Sequence, residues 1–134
     1  MQPLTDLLRD QHVWMRQLLD EIRHLGLGKE AGRARLRQVR GLIVEHVRRE
    51  DAELLTSLQR HPATKALAQT HAAEMRHLSG EILALFESWQ HGAGDLAFAR
   101  NYGRLLGLLN LRWTREEVHL YPAYEDHFLR ADTA

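Results

Sequence analysis

Residues 36–58 read LRQVRGLIVEHVRREDAELLTSL. Leu36, Val39, Ile43 and Leu54 recur at the three-and-four spacing that gathers side chains on one face of an α-helix. Nothing in the stretch alternates with the period of two that a strand needs. The same helical period puts His46 and Glu50 on the apolar face after Ile43. They stand one turn apart, so both side chains can reach one point from one helix. A buried imidazole or carboxylate is costly unless it is paired, so this segment asks for partners elsewhere in the chain.

Breaker residues divide the chain into four such segments. Gly26 to Gly32, the Arg60-His61-Pro62 corner and His91-Gly92-Ala93-Gly94 are each short enough to join antiparallel neighbours. Helices are expected from about Pro3 to Leu25, from Lys29 to Leu58 and from Pro62 to Gln90. A fourth starts near Asp95, a good cap residue, and runs past Pro122, which should kink or end it. The first carries the stripe Leu4, Leu8, Met15, Leu19 and Ile22, and the third Leu67, Met75, Leu78, Ile82 and Leu85. The fourth carries Phe98, Leu105, Leu109 and Leu120. The predicted fold class is all-α: one domain over residues 1–134, built as an antiparallel up-down-up-down four-helix bundle.

Composition narrows the function. Acidic and basic side chains balance at 18 each, which removes the positive field that nucleic-acid binders use to gather phosphate, so no nucleic-acid partner is expected. The arginines between Arg33 and Arg49 are interleaved or flanked by Glu45, Glu50, Asp51 and Glu53 and read as a solvated mixed-charge face. The chain has no cysteine, so any metal must be held by histidine and carboxylate. No apolar run is long enough to span a membrane, and MQPLTDLLRDQH lacks the pattern of a signal peptide. A cytoplasmic location with no membrane partner is the expectation. No phosphate-cradling glycine loop, dinucleotide fingerprint or Ser-His-Asp order is present.

Every stripe is interrupted by polar residues on its inward face: His12 after Leu8, His46 and Glu50 after Ile43, His71 after Leu67, and Arg112 and Glu116 after Leu109. His12 and His71 each lie nine residues beyond a proline, Glu50 lies eight before Leu58, and Glu116 eight before Tyr124. At a rise of about 1.5 Å per residue these positions fall in one layer of an up-and-down bundle. A cation that accepts imidazole and carboxylate would satisfy them together. A metal-free polar network in which every member is paired would also survive burial.

Together these residues resemble the hemerythrin-like, or HHE cation-binding, family. Its pattern is a histidine on one helix, then His-x-x-x-Glu-Glu and a Leu-Phe-Pro-like ending on the next. Here RDQH at His12 precedes HVRREDAELL from His46, and AQTH at His71 precedes RWTREEVHLYP from Arg112. The resemblance implies iron ligands at His12, His46, Glu50, His71 and Glu116, with the two glutamates as bridges. It favours a di-iron centre, with one iron or another divalent metal as the alternative. It further implies binding, sensing or redox chemistry of dioxygen, peroxide or nitric oxide, without specifying catalysis.

This sequence departs from that pattern at Arg112, which replaces a histidine and cannot ligate a metal, and at Met75, where the oxygen carriers of the family have a second histidine. His119, three residues beyond Glu116, is a candidate replacement ligand through the Glu-x-x-His spacing. Arg112 has two candidate roles: an ion pair with Glu116 or Glu50 in place of a missing metal, or a cation beside a metal that holds an anion or peroxide. Glu53 and the histidines His24 and His77 read as surface residues. Trp14, Trp113, Tyr102 and Tyr121 read as core packing or as aromatics beside the site. The competing class is a binding or scaffold bundle in which Arg112 has replaced the chemistry.

Overall fold

The computed structural model describes residues 2–90 and 95–129, apart from the side chains of residues 90 and 95–99. The expected break at His91-Gly92-Ala93-Gly94, the Asp95 cap and the Phe98 side chain lie outside the described residues. Those residues form helices and turns, with no strand among them. None of the described helices is long and apolar enough to cross a membrane.

The first helix, Leu4–Leu25, and the third, Lys65–Gln90, are uninterrupted. The second and fourth are composite. Glu30–Arg49 passes without a break through a π-helical turn, Glu50–Leu55, into Thr56–Arg60. Asp95–Arg115 passes in the same way through Glu116–Leu120 into Tyr121–Tyr124, and ends in a further wide turn, Glu125–Leu129. The fourth helix therefore does not stop at Pro122. The proline is the second residue of a single α turn between two wide turns, where the regular bonding pattern already changes and its missing N–H interrupts little.

The connections follow from local chemistry. Gly26 ends the first helix with φ 77°, in the left-handed region that favours glycine, and its N–H donates to the Ile22 carbonyl. Gly32 packs directly on it: a Cβ there would lie 1.8 Å from the Gly26 carbonyl oxygen, so only glycine lets the second helix begin so close. At the next corner the buried Thr64 hydroxyl donates to the Leu58 carbonyl at 2.7 Å, which satisfies a group left open at the end of the second helix. Residues 61–64 form this turn, so the third helix begins at Lys65 and not at Pro62.

Helices one and two pack along each other, as do three and four. Their stripes build two apolar clusters. The larger gathers Met15, Leu19, Ile22, Val39, Phe86 and Leu105 among others; the smaller contains Leu8, Leu54, Leu58, Ala68, Leu120 and Tyr121. On the first, second and fourth helices His12, His46 with Glu50, and Glu116 fall between the buried positions given to the two clusters, so a polar layer divides the core.

Truncating one member of the larger cluster should cost what a cavity costs. Leu109→Ala, at a side chain 1% exposed, is expected to destabilise by about 2–5 kcal/mol. Leu111→Ala, two residues on and 44% exposed, should change stability by less than about 0.5 kcal/mol. Urea denaturation of both variants checks this, and equal losses would show that the faces are misassigned.

Candidate metal centre

Three helices build the polar layer. The first supplies Gln11 and His12, the second His46 and Glu50, and the fourth Arg112, Glu116, Glu117 and Tyr121. Both glutamates open a π-helical turn, at Glu50–Leu55 and Glu116–Leu120. The extra residue in each turn allows two successive side chains to face inward afterwards, Leu54 with Leu55 and Leu120 with Tyr121. Tyr121 is thereby turned onto the layer.

His12, His46, Glu50 and Glu116 are each exposed by 1% or less, and one donor atom from each lies within 4.8 Å of all the others. His12 Nε2 is 3.2 Å from His46 Nε2 and 2.9 Å from Glu116 Oε1. His46 Nε2 is 3.3 Å from that same oxygen and 3.4 Å from Glu50 Oε2. Bonds of about 2.1 Å to one ion place neighbouring ligand atoms roughly 3.0–3.4 Å apart; these four spacings lie at or near that range, and the wider separations in the group, up to 4.8 Å, would close on an ion. Two imidazoles with two carboxylates suit iron, manganese or zinc.

Outer partners aim the imidazoles. His12 Nδ1 faces Glu117 Oε1 at 2.7 Å, and His46 Nδ1 faces Gln11 Oε1 at 2.7 Å. Each oxygen can only accept, so each Nδ1 donates and the Nε2 atom points to the shared centre, the arrangement that outer hydrogen bonds impose on metal-binding histidines. The His12 ring also stacks on Trp113 at 5.3 Å and on Tyr121 at 5.8 Å. The Tyr121 hydroxyl donates to Glu50 Oε2 at 2.7 Å and lies 3.3 Å from His12 Nε2.

Arg112 lies on the other side of the carboxylates. Its Nε donates to Glu116 Oε2 at 3.3 Å, one terminal nitrogen to Glu50 Oε1 at 3.4 Å, and the other to Ser79 Oγ at 2.7 Å. Both glutamates are thus ion-paired with Arg112. An apolar cavity of about 150 Å³ runs from Val44 and Leu83, both exposed, to His46, Ser79 and Arg112.

Protons sort themselves accordingly. Burial raises Glu116, but hydrogen bonds from His12 and His46 and the positive charges of His46 and Arg112 override it and hold the carboxyl well below its ordinary range. Burial and the charge of Glu116 push Glu50 up. Burial pulls His46 down, yet its bonds to Glu116 and Glu50 outweigh that and carry it up to about 9. Burial and the two carboxylates push Tyr121 far up, so it stays a phenol that donates.

The remaining candidates lie elsewhere. His71 is buried but stands outside the four-donor group, and its Nε2 has no hydrogen-bond partner. Counted from the helix starts, His71 is six residues beyond Lys65, whereas His12 is eight beyond Leu4. That difference is about 3 Å of rise. His119 is exposed and lines with His71, Glu74 and Arg115 a separate cavity of about 240 Å³. Glu53 is exposed and paired with Arg49, and His24 and His77 are exposed, as surface residues. Trp14, at 58% exposure, neither packs in the core nor reaches the site, while Trp113, Tyr102 and Tyr121 are buried. Gln11, Glu117 and Ser79 escaped the sequence pattern. The first two are chain neighbours of His12 and Glu116, which is the one signal that could have found them.

No protein-family model matches this chain, and neither does any curated protein or solved structure.

The raised His46 value fixes a sign. A histidine at about 9 in the fold and 6.5 unfolded contributes stability that is complete below about pH 6.5 and lost as pH rises through about 9. The metal-free protein should therefore weaken by up to roughly 3 kcal/mol over that interval. Denaturation in chelator at pH 6, 7.5 and 9 measures it, with His46→Gln expected to flatten the slope; an unchanged slope in that variant would assign the loss to another group.

Proposed function

We propose that this chain is a hemerythrin-like, antiparallel up-down-up-down bundle that binds non-haem iron and uses it to bind, sense or reduce a small ligand of the dioxygen, peroxide or nitric oxide class. One observation carries the reading: four buried donors of the right chemistry converge from three helices, with each histidine already aimed by an acceptor on its far nitrogen.

His12, His46, Glu50 and Glu116 would hold the ion, whose open coordination position and electrons supply the redox chemistry. Glu117 and Gln11 fix the imidazole orientations. Tyr121 offers a phenolic proton at the edge of the centre, within 2.7 Å of Glu50 Oε2. Trp113 and the flanking apolar clusters keep bulk water away. The cavity from Val44 and Leu83 gives an uncharged diatomic molecule an apolar approach to His46.

A second reading has its own support. The carboxylates, imidazoles, guanidinium and phenol of the layer are already bonded to one another, so the bundle can stand as a metal-free binding or scaffold module.

Elemental analysis of protein reconstituted anaerobically with Fe(II) separates the two. The iron reading expects bound iron in the parent and its loss, by at least about tenfold in affinity, in His46→Ala and Glu50→Ala variants that retain helical circular dichroism. Iron unchanged in both variants would sink the assigned site, and none in the parent would leave the scaffold reading.

A further inference from the structure

Each carboxylate of the layer is divided between two sides. Glu50 Oε2 and Glu116 Oε1 face the histidines and Tyr121, while Glu50 Oε1 and Glu116 Oε2 face Arg112. Carboxylates on facing helices share their oxygens in this way when a bundle holds two cations. We infer that the Arg112 guanidinium is itself the second cation of the pair, so that the centre takes one metal ion, on the His12–His46 side, and not two. This inference rests on the metal-binding reading and fixes the stoichiometry of that same site.

Three further observations point the same way. Arg112 is 4% exposed and tied at its third nitrogen to Ser79 of the third helix, at 2.7 Å, so three partners hold its guanidinium between the two carboxylates and the third helix. The third helix supplies no donor to the group: Met75 is buried without ligand chemistry suited to a hard ion, and His71 stands outside the four-donor cluster. Charge decides the rest. One divalent ion beside Arg112 and two carboxylates leaves one formal positive charge in the core. Two ions beside the same groups would leave three, which no buried anion among the described residues opposes.

Arg112 is thus a stoichiometry-determining residue. Unlike a metal, it cannot be chelated away or exchanged, and unlike histidine it does not lose its proton. The half of the layer it occupies keeps its charge whether or not the other half is loaded.

The test is a metal count. Metal-free parent protein, R112H and R112K are titrated anaerobically with Fe(II), and separately with Co(II) as an optical probe; bound metal is measured after gel filtration. The parent and R112K, which both keep a cation, should bind one ion per chain. R112H removes the guanidinium and puts an imidazole one turn before Glu116, as His46 stands before Glu50, and should bind two. If R112H folds only with metal, the count is made on protein refolded in excess Co(II). Two ions in the parent would overturn the inference and leave the metal site standing, as would one ion in folded R112H. No metal in the parent would overturn both.

Discussion

Two carboxylates less than a turn's reach from one another, in a core that excludes water, need positive charge beside them or one of them must take up a proton. In this chain Glu50 and Glu116 are that pair, and the rest of the layer is arranged around their demand. Arg112 meets it on one side with a charge that never titrates. His12 and His46 meet it on the other with charge that depends on a proton, or with lone pairs that await a cation. Tyr121, Gln11, Ser79 and Glu117 complete the hydrogen bonds that these groups leave open. The apolar clusters then contribute twice: they stabilise the fold through buried area, and they lower the local dielectric that gives each charge its weight.

The backbone is adapted to the same end. A glutamate opens a π-helical turn at equivalent places in the two halves, Glu50 and Glu116. Such turns lose bonding regularity, and they recur where a side chain must be aimed. The two halves differ at the position one turn earlier, His46 in one and Arg112 in the other, and the asymmetry of the layer grows from that difference. The two halves share the carboxylate and its wide turn and differ in the neighbour each carboxylate has on its own helix.

Much of this was legible in the sequence. The helical period alone locates the apolar faces, and it puts His12, His46, Glu50, Arg112 and Glu116 inward, where the structure finds them buried. Depth was harder. The count that levels His71 with His12 starts at Pro62, but residues 62–64 belong to a turn secured by the Thr64 hydroxyl, and His71 stands outside the four-donor group. The π-helical turns left no distinct trace: adjacent apolar residues are buried at Leu54-Leu55 and Leu120-Tyr121, but also at Leu18-Leu19 in the regular first helix. Contacts through long side chains left none: the reach of Arg112 to Glu50, 62 positions away in the chain, depends on rotamers that no periodicity encodes. The same holds for Trp14, whose aromatic character suggested packing and whose helical position sends it to solvent.

The near-complete burial of the four donors carries a kinetic consequence. The four donor residues show at most 1% of their surface, and the cavity that reaches His46 is apolar, so a hydrated ion would reach them only after part of the bundle opens. The smaller apolar cluster, which includes the ends of the second and fourth helices, holds fewer side chains in place than the larger. Opening there exposes the layer while the larger cluster stays packed. Any ion held there would then be loaded and released through a local unfolding event rather than by encounter, and would exchange slowly in both directions.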